Sequence, residues 1–187
     1  MIKAILQKIS QDTEGKVDLK LMLLFIPVAY FTYLFHEFGH WTIGELLGNS
    51  MTYSLNNVST LNSDYNDTSH SLLVLIGGPA FTILLSIISL LIIKLFKVTW
   101  AYPFVFFQFF CRFFSLVFGK FSIQDEAKIS AILEVGKYTI PLLVVLLLLL
   151  LVWIGSYILK LNFKSNWYFF TISVFCELLV IATYKLI

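Results

Sequence analysis

The chain has 187 residues, 59% of them hydrophobic and only 13% charged, with a mean hydropathy of +0.87. Soluble domains are nearer half apolar and a quarter charged, so this balance describes an integral membrane protein. A net charge of +2 is too small to point to nucleic acid as a partner, and Cys111 and Cys176, both inside apolar runs, read as small core residues rather than a disulfide framework.

The first 20 residues carry Lys3, Lys8, Asp12, Glu14, Lys16, Asp18 and Lys20, too long and too acidic a stretch for a cleavable signal segment. Ile2, Ile5, Leu6 and Ile9 fall at helical spacing. Residues 1–19 are therefore either a polar tail or an amphipathic helix lying on the membrane surface. A spanning helix needs roughly 20 mainly apolar residues. Five segments meet that length: 20–47, 71–96, 99–119, 138–159 and 167–187. The expected fold is an all-α polytopic membrane protein embedded in the lipid bilayer, multi-pass, in the cell membrane.

The first span contains "HEFGH", His36 to His40, directly after the apolar run Leu21–Phe35. On a helix, positions i and i+4 share a face, so His36 and His40 can grip one ion together. Glu37 stands beside the first histidine, where it can take a proton from an attacking water without being a ligand. This is the HExxH arrangement of zinc hydrolases: two imidazoles hold Zn2+ and the glutamate is the general base. Ionisable groups inside a membrane segment cost several kcal/mol by most estimates, and three within five positions at metal spacing mark a functional site. A catalytic zinc has three protein ligands. The candidates for the third are Glu45, Asp64, Asp67, His70, Asp125 and Glu126. Glu45, five residues past His40, turns off the ligand face.

The connection 48–70 contains no Lys or Arg. Met51, Tyr53 and Leu55 alternate with polar residues, Asn56-Asn57 is a turn signal, and Val58 to Leu61 can return, so a short β-hairpin is expected over 48–61. In the second span, "GGPAFT" from Gly77 to Thr82 lies at the depth of His40. Its glycines permit close helix approach and Pro79 frees backbone groups. It is either a packing notch or a notch at which Gly78, Pro79 and Thr82 bind substrate. The third span carries Gln108 and Arg112 on one face, and Glu177 interrupts the fifth. Counted along their helices, Arg112 and Glu177 fall at similar depths, so they are expected to pair. In the 120–137 connection, Ser122 and Asp125 have capping-box-like spacing, and Gly136 would end a short helix. Asp125 or Glu126 reaches the histidines only if the chain there dips back to roughly 12 Å, the depth of His40 at about 1.5 Å per residue.

HExxH in a transmembrane helix, "GGP" in the next and "QDE" after the third together resemble the site-2 protease family of intramembrane zinc metalloproteases, over about residues 20–135. The resemblance implies a three-helix catalytic core with one zinc ion per chain. His36, His40 and Asp125 would be the ligands and Glu37 the catalytic base. The family commonly has Asp-Gly where this chain has Asp125-Glu126, and Asn a few residues after Gly-Pro where this chain has Thr82. It also implies β-strands between the first two core helices that present an edge to extended substrate. The organisation expected is residues 1–19 as tail or interfacial helix, 20–135 as zinc-protease membrane core and 136–187 as two additional transmembrane helices.

The implied activity is hydrolysis of a peptide bond in or next to a transmembrane segment of a membrane protein substrate. The alternatives are a membrane-embedded zinc protease acting on soluble or misfolded protein, and a non-proteolytic metal-binding membrane protein. Eight basic residues (3, 8, 16, 20, 94, 97, 160, 164) fall on the side where the first span begins, and four (120, 128, 137, 185) on the other. The positive-inside rule makes the first side cytoplasmic, whereas the resemblance puts the zinc site toward the cytosol. Both orientations stand.

Overall fold

A computed structural model describes residues 19–62, 64–119 and 124–186. The expectations for residues 1–18 and for Ser122 lie outside the described residues. Among the described residues there are six α-helices: α1 Leu19–Leu46, α2 His70–Phe96, α3 Tyr102–Phe118, α4 Asp125–Ile132, α5 Thr139–Ile158 and α6 Phe163–Leu186. A 3-10 turn, Thr99–Ala101, leads into α3. Among the described residues, five helical segments are long and apolar enough to cross a membrane: α1, α2, the 3-10 turn with α3, α5 and α6. They sit within a few residues of the expected spans. Helix α6 starts earliest relative to expectation, at Phe163, because Asn162 Oδ1 accepts from Ser165 N (2.8 Å) and Ser165 Oγ (3.0 Å) and so caps its first turn.

The aromatic-rich α3 contributes many of the buried apolar side chains, including Val105, Phe106, Phe107, Phe110 and Cys111. It packs against Phe25, Val28 and Ala29 of α1, Val144, Leu148 and Val152 of α5, and Phe169, Cys176 and Val180 of α6. Phe25 stacks on Phe169 at 5.5 Å, and Phe106 meets both within 6.3 Å. Helix α5 shows how one sequence serves two solvents. Pro141, Val144, Val145, Leu148, Leu151, Val152 and Gly155 form its buried stripe at helical spacing. Leu142, Leu143, Leu146, Leu147, Leu149, Leu150 and Trp153 face outward, where lipid rather than water is the favourable neighbour.

Helices α1 and α2 approach most closely at glycines. A Cβ on Gly39 would lie 2.4 Å from Gly77 O, and one on Gly77 would lie 2.5 Å from Gly39 O. Only glycine at both positions lets the two backbones touch. The far end of α1 closes in a Schellman motif. Gly48 takes φ +79°, Gly48 N donates to Glu45 O at 2.9 Å, and Asn49 N to Gly44 O at 3.0 Å.

The 48–61 segment doubles back on itself, but the described residues contain no strand. A single antiparallel bridge joins Met51 and Thr60, with Thr52 N to Ser59 O at 2.7 Å and Ser54 N to Asn57 O at 3.0 Å. Side chains compete with the ladder. Thr52 Oγ1 bonds Ser59 O at 3.1 Å, and Ser54 Oγ bonds Asn57 O at 2.8 Å. The segment is drawn onto α1 instead. Met51 N donates to Glu45 Oε1 (2.8 Å), Met51 packs on Gly44, and Tyr53 OH donates to Leu34 O at 2.6 Å. Leu34 lies 12 residues before the end of α1, so this segment runs down the helix past Glu37 rather than standing clear of it.

Candidate metal centre

His36 and His40 project from α1 toward Gly78 in α2. Both are buried. Gly78 makes room for them: a Cβ there would lie 2.3 Å from His40 Nε2 and 2.6 Å from His36 Nε2. His40 Nδ1 donates to Val74 O at 2.7 Å, and His36 Nδ1 lies 3.0 Å from Thr82 Oγ1. Both contacts occupy the nitrogen away from the site and leave each Nε2 facing inward. Such a hydrogen bond on the far nitrogen is what fixes tautomer and ring orientation in metal-binding histidines.

Asp125, the first residue of α4, completes the group. Its Oδ2 lies 3.1 Å from His36 Nε2 and 3.1 Å from His40 Nε2, and the two nitrogens are 3.2 Å apart. Asp125 Oδ1 faces Lys128 Nζ at 3.9 Å. His36, His40 and Asp125 form a group that could hold a metal ion. Two tests of fit are physical. Zinc bonds to nitrogen and oxygen of about 2.0–2.2 Å in a tetrahedron require ligand atoms about 3.3 Å apart; the observed triangle has edges of 3.1–3.2 Å. The donor set also demands positive charge. With Nδ1–H committed to Val74 O, a neutral His40 presents a bare Nε2, and Asp125 Oδ2 is an acceptor as well. Acceptor atoms at this separation repel unless a proton or a cation sits among them.

None of the other third-ligand candidates joins this group. Glu45 receives Met51 N. Asp67 Oδ1 accepts from Ser69 Oγ (2.6 Å) and Ser69 N (2.7 Å), bonds that hold its carboxyl below the usual range and brace the start of α2. His70 Nδ1 accepts from Asn49 Nδ2 at 3.2 Å, and Asp64 is exposed. Glu126 turns the other way, into a 3.3 Å ion pair with Arg112 Nη1.

That pair corrects the expected Arg112–Glu177 contact. Glu177 Oε1 instead accepts from Tyr33 OH at 2.6 Å. Depth along the spans leaves out the short helices between them, and α4 brings a nearer carboxylate to Arg112 than α6 does. Gln108, one turn below Arg112, donates from Nε2 to Thr32 Oγ1 at 3.0 Å.

Glu37 is 8% exposed, and no described residue engages its carboxyl in a hydrogen bond. Thr82 and Gly78, expected at a packing notch or at substrate, lie against the two imidazoles. Thr82 is 2% exposed, and its hydroxyl meets His36. Pro79 is buried beside them. The orienting partners Thr82 and Val74 lay beyond sequence reasoning as histidine supports; the signal for Thr82 was its position one turn after Gly78. Set beside known proteins, the chain matches no family model, no curated protein and no solved structure.

Proposed function

We propose that this chain is an intramembrane zinc metalloendopeptidase that hydrolyses a peptide bond in or next to a transmembrane segment of a membrane protein. The observation that carries the reading is the inward-facing acceptor triangle of His36, His40 and Asp125, with a glutamate one residue from the first histidine and free of hydrogen bonds to the described residues. Zinc held there would supply Lewis-acid polarisation of the scissile carbonyl and acidify the attacking water.

The chain's own residues account for the remainder. The Glu37 carboxylate accepts the proton of the attacking water and returns it to the leaving amine. Thr82 Oγ1 and Val74 O hold the imidazoles so that Nε2 stays turned inward. Retention of Glu37 separates this reading from that of a protein which merely stores metal, because holding zinc needs only the ligands. A helical peptide bond is shielded from a nucleophile, so the substrate must unwind locally. The resemblance to site-2 proteases in HExxH, Gly77-Gly78-Pro79 and Asp125 supports the same assignment.

The test compares wild type with Glu37→Gln, purified in detergent, for zinc content and for cleavage of transmembrane reporter substrates. Zinc in both with cleavage by wild type alone is the expected result. Equal cleavage by both removes Glu37 from the mechanism.

A further inference from the structure

Three consecutive residues at the start of α4 are each held by a different group. Gln124 Nε2 donates to Ser115 O, in the last turn of α3. Asp125 Oδ2 faces His36 and His40 of α1. Glu126 Oε1 accepts from Arg112 Nη1 of α3 at 3.3 Å. The outer two residues are thus fastened to α3 while the middle one faces the histidines.

Helix α4 cannot hold this position by itself. It has eight residues, and no side-chain hydrogen bond caps its first turn. A helix that short is marginal on its own. Glu126 is 4% exposed and the Arg112 side chain 13%. Burying such a pair is costly, and removing one member leaves an uncompensated charge. A pair kept under those terms needs a role that apolar packing cannot fill. Charge supplies a second reason. An arginine this near a cation site opposes a divalent ion, and Glu126 neutralises it.

We propose that Arg112 and Glu126 are a positioning pair which, with Gln124, clasps α4 to α3 and so sets Asp125 at the metal. Neither member touches the ion. The inference rests on the zinc reading above. Supports of this kind typically change metal affinity by about 10–100-fold.

The experiment titrates zinc into the metal-free full-length chain in detergent against a chromophoric chelator. Arg112→Met and Glu126→Gln are each expected to weaken zinc about 10–100-fold. Gln124→Leu, which leaves every charge in place, should weaken it as well. The exchanged pair, Arg112→Glu with Glu126→Arg, should bind more tightly than either single variant, a recovery that loss of generic stability does not produce. Glu126→Gln keeps side-chain shape and an acceptor for Arg112, so it and Gln124→Leu decide the matter if Arg112→Met fails to fold. Unchanged affinity in both of those variants overturns the clasp while leaving the metal site intact. A wild-type chain that takes up no zinc overturns the site itself, and the clasp with it.

Discussion

Substituting Gly78 by alanine tests the site at its tightest point. The added Cβ would meet His40 Nε2 at 2.3 Å, His36 Cε1 at 2.5 Å and His36 Nε2 at 2.6 Å. Carbon needs about 3.5 Å of separation from such atoms, so at least one ring must move by about 1.2 Å. Neither ring has an easy route, because Nδ1 of each is already tied, to Val74 O at 2.7 Å and to Thr82 Oγ1 at 3.0 Å. Separating α1 from α2 is resisted by the Gly39–Gly77 contact. Overpacking of this kind costs about 1–3 kcal/mol of stability. The effect on metal is larger, since binding geometry tolerates only about 0.2 Å.

Zinc affinity should fall by at least about 100-fold, the upper end of what disturbing a ligand's supports does. Chelator competition reads the affinity and thermal unfolding in the same detergent reads the fold. Gly44→Ala is the control. Its Cβ would meet Met51 Cγ and Sδ at 2.6 Å, a flexible side chain that can swing aside, so zinc should be retained. A folded Gly78→Ala protein binding zinc within about threefold of wild type would refute the geometry, because the site would then not be where the imidazoles and Gly78 meet.

Two further outcomes follow from the polar contacts. Thr82→Val removes the acceptor for His36 Nδ1 and should loosen zinc by about 10-fold, whereas Thr82→Ser should stay near wild type; the same chelator titration measures both. Tyr33→Phe leaves Glu177 Oε1 without its donor while Oε2 has none among the described residues. It should destabilise the fold by about 1–3 kcal/mol. Adding Glu177→Leu should recover part of that loss, a non-additivity read from the unfolding of the two single variants and the double variant.

The spans and the histidine face were legible because each follows from a local period. About 20 apolar residues cross a bilayer, and i, i+4 shares a helix side whatever surrounds it. The depth match between His40 and Gly78 was legible for the same reason, as both lie in unbroken helix. What escaped depends on the chain leaving that regularity. The partner of Arg112 could not be counted along spans, because Glu126 reaches it from the short helix α4, which is not one of them, and nothing local in "QDE" says which of its carboxylates faces which neighbour. The placement of that short helix also decides that Asp125 faces the histidines. The alternation of Met51, Tyr53 and Leu55 did carry a signal, but one of docking rather than of a sheet. Met51 and Tyr53 go to α1, and the hydroxyls of Thr52 and Ser54 take up carbonyls that a ladder would use.

The contact between Gly39 and Gly77 has a mechanical meaning. Where two helices touch through side chains, one can slide or roll past the other by exchanging rotamers. Here carbonyl meets backbone, and no rotamers exist to exchange. Helices α1 and α2 therefore behave as a single splint that carries both histidines, their braces and Glu37 as one body. On the proposed protease reading, the movement that would admit a polypeptide to Glu37 has to come from parts joined to this splint by side chains: the 51–60 segment, hung on α1 by Glu45 and by the Tyr53 hydroxyl, or α6, joined to it through Tyr33–Glu177 and the 2.6 Å Tyr30–Thr183 bond.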